Sequence, residues 1–126
     1  MKIRVYYEDT DCGNVVYYAN YLKYMERSRT ELLREKGINL SLLQKEGYLF
    51  IVSEVHIKYK ASAKYDDLLD VDSIIKSISF ASITFSTTIK NSSGKLVVTG
   101  DVKLAFINRE GKICRIPKEI ASIFAK

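Results

Sequence analysis

Tyr7-Glu8-Asp9-Thr10-Asp11-Cys12-Gly13-Asn14-Val15-Val16-Tyr17-Tyr18-Ala19-Asn20-Tyr21-Leu22 is the stretch on which the fold turns. Upstream, Lys2 to Glu8 alternates, with Ile3, Val5 and Tyr7 on one side and Arg4 and Tyr6 on the other, which predicts a half-buried strand. Asp9 to Asn14 is dense in turn formers and leaves that strand. Downstream, Tyr18, Tyr21, Leu22, Met25, Leu32 and Leu33 fall close to the i, i+3, i+4, i+7 spacing of a helix beginning near Tyr17 or Tyr18. Lys23, Glu26, Arg27, Arg34 and Glu35 mostly fill its other side, and Gly37 supplies a stop.

Ser41-Leu42-Leu43-Gln44 matches a capping box and opens a short second helix ended by Gly47. Beyond it the chain is mostly strands. Leu49, Ile51, Ser53, Val55, Ile57 and Tyr59 alternate with a face that turns polar at Glu54, His56, Lys58 and Lys60. Strands follow over 69–78, over 81–90, with Ile83, Phe85, Thr87 and Ile89 on one face, and over 96–107. Asp66-Asp67, Asn91-Ser92-Ser93-Gly94 and Asn108-Arg109-Glu110-Gly111 mark turns. Pro117 opens a terminal helix containing Ile120, Ile123 and Phe124. One strand, one long helix and four or five mostly antiparallel strands make an α+β layer structure with the sheet wrapped on the helix. Tyr48, Phe50 and Val52 stand opposite Leu49 and Ile51, so apolar residues lie on both faces of one strand, a surface that another subunit usually buries.

The 126 residues fit one domain over 1–126, with no linker and no internal repeat. Apolar residues make up 47%, enough for a packed core. Cys12 and Cys114 stand far apart in no paired motif, which excludes a disulfide framework and fits a reducing compartment. His56 is the single histidine, so a metal cluster is not expected and any Ser-His-Asp chemistry would have to run through it. The N-terminus carries no signal-peptide pattern and no stretch is apolar enough for a membrane span, so the expected location is cytoplasmic. The net charge of +5 suits either nucleic acid or a phosphorylated ligand. The basic residues are dispersed among acids rather than clustered with aromatics, which argues against nucleic acid.

Chemistry concentrates in the loop before the long helix. Asp9 and Asp11 sit directly ahead of a helix terminus whose first amides lack intrahelical acceptors. Such amides can polarise a carbonyl while a carboxylate attacks it or activates water, the elements of acyl transfer. The same D-x-D pattern also serves simply to cap turns and helices.

The motifs Tyr7-x-Asp9-Thr10-Asp11, Val16-Tyr17, Asn20-Tyr21-Leu22 and Glu26-x-x-Arg29 resemble the signature of the 4-hydroxybenzoyl-CoA thioesterase family, in particular its bacterial Tol–Pal-associated acyl-CoA thioesterase branch. Tyr59-Lys60-Ala61-Ser62-Ala63, Asp66-Asp67-Leu68-Leu69 and Arg115-Ile116-Pro117 extend the resemblance from about residue 4 to 117. It implies a hotdog fold, one long helix wrapped by a five- to six-stranded antiparallel sheet. It further implies homodimers with continuous sheets, often paired into homotetramers, with sites at the dimer interface. The implied activity is hydrolysis of acyl-CoA to free acid and CoA without metal or cofactor. The catalytic carboxylate then falls on Asp11, as nucleophile or general base, and the carbonyl-polarising backbone amide on Tyr18. Tyr17, Phe50, Ile51 and Lys60 are the candidate substrate contacts, with Lys58, Lys64 and Lys76 as further phosphate candidates.

Three departures from that pattern are visible. Asn14, a residue that tolerates left-handed backbone, stands three residues after Asp11 where the family usually has Gly, and Gly13 precedes it. Tyr18 stands where the bacterial branch commonly has His, so only a mechanism using the backbone amide fits. Ser79-Phe80-Ala81 replaces the basic cluster of the founding enzyme. Dehydratases of the same fold need a histidine near the helix start, and this chain has none there. A hotdog protein that binds acyl-CoA without cleaving it is the alternative; a pure binder gains nothing from a carboxylate beside an anionic ligand. Cys12 reads as a small filler in the turn, His56 as a surface residue, and Glu26 with Arg29 as an i, i+3 ion pair on the helix.

Overall fold

The computed structural model describes residues 1–124; Ala125 and Lys126, the end of the expected domain, lie outside the described residues. The chain runs β1 (Lys2–Arg4), a 3-10 turn (Tyr7–Asp9), α1 (Asn20–Glu35), α2 (Leu40–Lys45), β2 (Leu49–Tyr59), β3 (Leu68–Ile78), β4 (Ser82–Lys90), β5 (Leu96–Ile107) and α3 (Lys118–Phe124). The strands form one antiparallel five-stranded sheet in the order β1-β3-β4-β5-β2. The architecture is therefore α+β, with α1 laid on one face of the sheet.

Helix α1 buries Tyr21, Tyr24, Met25, Ser28 and Leu33, with Ser28 meeting β3 and Met25 meeting β5. The facing side of β4 is Ile83, Phe85, Thr87 and Ile89, all buried, as the alternation predicts. Two polar groups within this layer are satisfied: Ser28 Oγ donates to Val71 O at 3.3 Å, and the Ser73 and Thr87 hydroxyls pair at 2.8 Å. At Gly100 the helix packs tightly on β5: an added Cβ would lie 2.7 Å from Met25 Cε. Gly37 takes φ +86 just past α1 and Gly47 φ +93 past α2, so both stops lie where the sequence places them.

Four local expectations need correction. The first strand ends at Arg4 rather than Glu8, because the Asp9 carboxylate accepts the Tyr6 N–H at 2.8 Å and bends the chain into the 3-10 turn. Helix α1 begins at Asn20 rather than Tyr17 or Tyr18, because residues 17–20 form a turn closed by Asn20 N–H donating to Tyr17 O at 2.8 Å. The second helix is capped by Asn39, whose Oδ1 accepts from the N–H groups of Ser41 and Leu42; Ser41 lies one residue inside it. Strand β2 carries a bulge between Val52 and Glu54. Its partners show the consequence: Phe50 and Val52 oppose Phe106 and Leu104, whereas Val55, Ile57 and Tyr59 oppose Val102, Gly100 and Val98. The core-facing set switches from even to odd numbers at Ser53, which explains why apolar residues fall on both parities of one strand.

Candidate active site

Residues 9–17 form a narrow return loop. Asp11 N–H donates to Val15 O and Tyr17 N–H to Asp9 O, both at 2.9 Å, around an antiparallel bridge between Thr10 and Val16. The tip turns at Asn14, which adopts φ +62, the left-handed backbone expected at that position. Asp11 is exposed, and its Oδ1 accepts the Gly13 N–H at 2.8 Å. A Cβ at Gly13 would approach that oxygen to 3.1 Å, so glycine leaves the carboxylate its room. The other carboxylate oxygen makes no bond among the described residues.

The loop returns onto the turn ahead of α1. Ala19 is the N-cap residue and offers no side-chain cap. Among the described residues neither Tyr18 N–H nor Ala19 N–H has an acceptor. Tyr18 N–H shares its peptide plane with Tyr17 C=O, which is held by Asn20 N–H, and so points away from that bond. Tyr18 C=O in turn accepts the Tyr59 hydroxyl at 3.2 Å from the far end of β2. An exposed carboxylate in the loop leading into unpaired amides offers the groups that can attack, or activate water against, a polarised carbonyl.

Aromatic side chains surround these groups. The rings of Tyr17 and Tyr18 lie 4.9 Å apart, and Tyr59 stands edge-on to Tyr18 at 6.2 Å. The Tyr17 hydroxyl is held protonated above its ordinary range, first by the neighbouring Tyr18 hydroxyl, then by its hydrogen bond with it and by burial, and last by the Asp11 charge. Asp11 thus lies within electrostatic reach of Tyr17. Deeper, the buried Tyr24 hydroxyl is pushed up by burial and by the nearby Asp9 carboxylate, yet no acceptor meets it in hydrogen-bonding geometry.

Asp11 acts on Tyr17 through its charge, and the Tyr17 ring packs on Tyr18. Phe50, Ile51 and Lys60 lie on or just past β2. Phe50 lines a cavity of about 300 Å3 between α1, α2 and β2, together with Leu33, Leu43, Tyr48, Val52 and Leu104. Ile51 points to the opposite face of β2, 43% exposed, against Ala105. Lys60 follows Tyr59 and is fixed through its backbone N–H to Val97 O at 2.8 Å. Lys76 is committed to Asp101 at 2.6 Å, and Lys58 and Lys64 are exposed. Glu26 and Arg29 do not form the expected ion pair: Glu26 accepts the Thr30 hydroxyl at 3.3 Å, and the i, i+3 pair of α1 is Glu31 with Arg34 at 3.2 Å. Burial pulls the Arg29 guanidinium down, opposed by the Glu26 charge. Cys12 and His56 are exposed. Two residues at the site escaped sequence reasoning, Tyr59 and Asn20. The apolar alternation of β2 and the Asn20-Tyr21-Leu22 motif were their signals, but neither gives a partner.

Among the described residues no three His, Cys, Asp or Glu side chains converge as a metal site, and no helix is long and apolar enough to cross a membrane.

Comparison with known proteins places this geometry. The thioesterase-like superfamily matches residues 5–124. The acyl-CoA thioester hydrolase YbgC of Escherichia coli is 36% identical over 123 residues, covering 97% of this chain and 92% of that one. The acyl-CoA thioesterase YbgC of Haemophilus influenzae is 37% identical over 124 residues, covering 97% and 90%. The crystal structure of a probable thioesterase from Bartonella henselae superposes with a TM-score of 0.87 at 36% identity, covering 93% of this chain and 97% of that chain. The five-stranded sheet on one long helix is the hotdog fold of these structural neighbours, and the chain belongs to the thioesterase-like superfamily.

Proposed function

We propose that the protein hydrolyses acyl-CoA thioesters to a free acid and CoA, with Asp11 acting on the thioester carbonyl and the Tyr18 N–H polarising it. The observation that carries this reading is the exposed Asp11 carboxylate in the loop that leads into an amide with no acceptor among the described residues, in a chain whose relatives are named acyl-CoA thioesterases. Asp11 either attacks the carbonyl carbon to give a mixed anhydride, expelling CoA thiolate, after which water hydrolyses the anhydride to release the acid and restore Asp11, or removes a proton from water that attacks the same carbon, whose tetrahedral adduct then collapses to the acid with loss of CoA thiolate. Thiolate leaves without strong acid assistance, so the reaction needs no histidine, metal or cofactor. Tyr17 borders the site, and Lys60 lies one residue beyond Tyr59, where it can meet CoA phosphate. Phe50, lining the cavity, would receive an acyl group, while the outward-facing Ile51 serves an interface.

The active unit in this reading is a homodimer or a pair of them. Strand β2 pairs with β5 on one side only and leaves Leu49, Ile51, Val52, Val55 and Tyr59 39–49% exposed along 11 residues. A long edge of this kind favours pairing with another strand, and a second copy of β2 supplies one. Two unpaired cysteines fit a cytoplasmic location. The test is thiol release across acyl-CoA substrates from acetyl to palmitoyl and benzoyl. Turnover of at least one supports the reading. Saturable binding of these thioesters with no thiol release would establish the non-catalytic acyl-CoA binder instead.

A further inference from the structure

We infer that Asn20 is a positioning residue that sets the separation between the Asp11 carboxylate and the Tyr18 amide; this rests on the reading of those two groups given above. Asn20 uses both of its nitrogens. Its backbone N–H donates to Tyr17 O at 2.8 Å, and its side-chain Nδ2 donates to Asp9 O at 2.9 Å. The same Asp9 carbonyl accepts the Tyr17 N–H at 2.9 Å. Both ends of the 17–20 turn are therefore fastened to one oxygen, and that oxygen lies two residues before Asp11.

Each bond has a distinct consequence. A peptide group is planar, with its carbonyl and N–H on opposite sides. Holding Tyr17 C=O with Asn20 N–H aims Tyr18 N–H outward. Holding Asp9 C=O with Asn20 Nδ2 ties the start of α1 to the loop that carries the carboxylate. The side-chain bond spans 11 residues and is the one side-chain hydrogen bond among the described residues that joins the helix start to the 9–17 loop. Without it the bridge between Thr10 and Val16 and the Tyr17 N–H bond to Asp9 O remain, but the helix end of the turn loses its own tie to Asp9. Polar groups that react together lose rate steeply when displaced, because misplacement by about 1 Å can cost a hundredfold.

The test compares Asn20→Asp, which keeps the shape and removes the donor, with Asn20→Ala, which removes the donor without adding charge. Both are measured beside Asp11→Asn in the full-length protein, as thiol release from the best acyl-CoA substrate. The expected result is a kcat at least tenfold lower in both variants with KM within about twofold of the parent, since the contacts that hold the substrate are left in place. A structural role alone would lower the thermal midpoint without separating kcat from KM. Parent-like kcat in either folded variant, a rise in KM at unchanged kcat, or failure of both variants to fold would overturn the inference. Asp11→Asn distinguishes the levels: if it stays active, the site reading fails; if it is inactive while the Asn20 variants are not, only the positioning role fails.

Discussion

Replacing Gly13 by Ala probes the carboxylate without touching it. Gly13 lies outside the left-handed region, so alanine fits its backbone. The new Cβ would stand 3.1 Å from Asp11 Oδ1, inside the 3.4 Å at which ordinary contact begins, so the carboxylate must retreat by a few tenths of an ångström. Retreat also strains the 2.8 Å bond from Gly13 N–H, a contact worth about 1 kcal/mol. Asp11 is exposed, so water compensates most of that loss, and the midpoint of unfolding should fall by less than about 4 °C. Scaling a hundredfold loss per ångström to this displacement gives a fall in kcat of about three- to tenfold. Thiol-release kinetics and a thermal melt on the same sample read both quantities. An unchanged kcat in a folded Gly13→Ala protein would refute the claim that the position of this carboxylate limits the rate.

Other substitutions test the fold and the assembly. Gly100→Ala places a methyl 2.7 Å from Met25 Cε and 3.3 Å from His56 O in the buried layer, and should cost about 1–2 kcal/mol in urea denaturation. Ile51→Lys puts a charge on the outward side of the open β2 edge and should lower the mass found by light scattering; an unchanged mass argues against that edge as the interface. The Lys76 hydrogen bond holds the Asp101 carboxyl below its usual range, opposed by burial and helped by Ser86 and the Lys76 and His56 charges. A depressed carboxyl stabilises the folded state above its unfolded pKa and loses that effect as pH falls through the folded value. Lys76→Met should therefore destabilise by no more than about 0.5 kcal/mol at pH 7, because both partners are partly solvated, and the gap should close on acidification below about pH 4.

Much of this molecule was legible in its sequence, and the reasons differ by element. Helix α1 and strand β4 each bury one face, so Tyr21, Met25 and Leu33, or Ile83, Phe85 and Ile89, leave a clean period. The bulge at Ser53 was not legible, since an inserted residue flips parity without changing composition. The helix start was misplaced for a related reason. Tyr17 and Tyr18 continue an apolar period, yet the 17–20 turn, closed by Asn20 N–H on Tyr17 O and tied to Asp9 O through Asn20 Nδ2, precedes the helix. At the site, the local sequence marked the loop and the resemblance selected Asp11 and Tyr18. Tyr59 could not be found that way, because its contact with Tyr18 crosses 41 residues and depends on the sheet reaching back to the helix.

Thiol release by Asp11→Asn against the parent protein is the most direct test. Asparagine keeps an oxygen for the Gly13 N–H, so circular dichroism and the thermal midpoint should match the parent. The account predicts that turnover of the best acyl-CoA substrate falls about 10²- to 10⁴-fold, the range expected when a positioned carboxylate is lost. An Asp11→Asn protein that folds and keeps most of its turnover would contradict it.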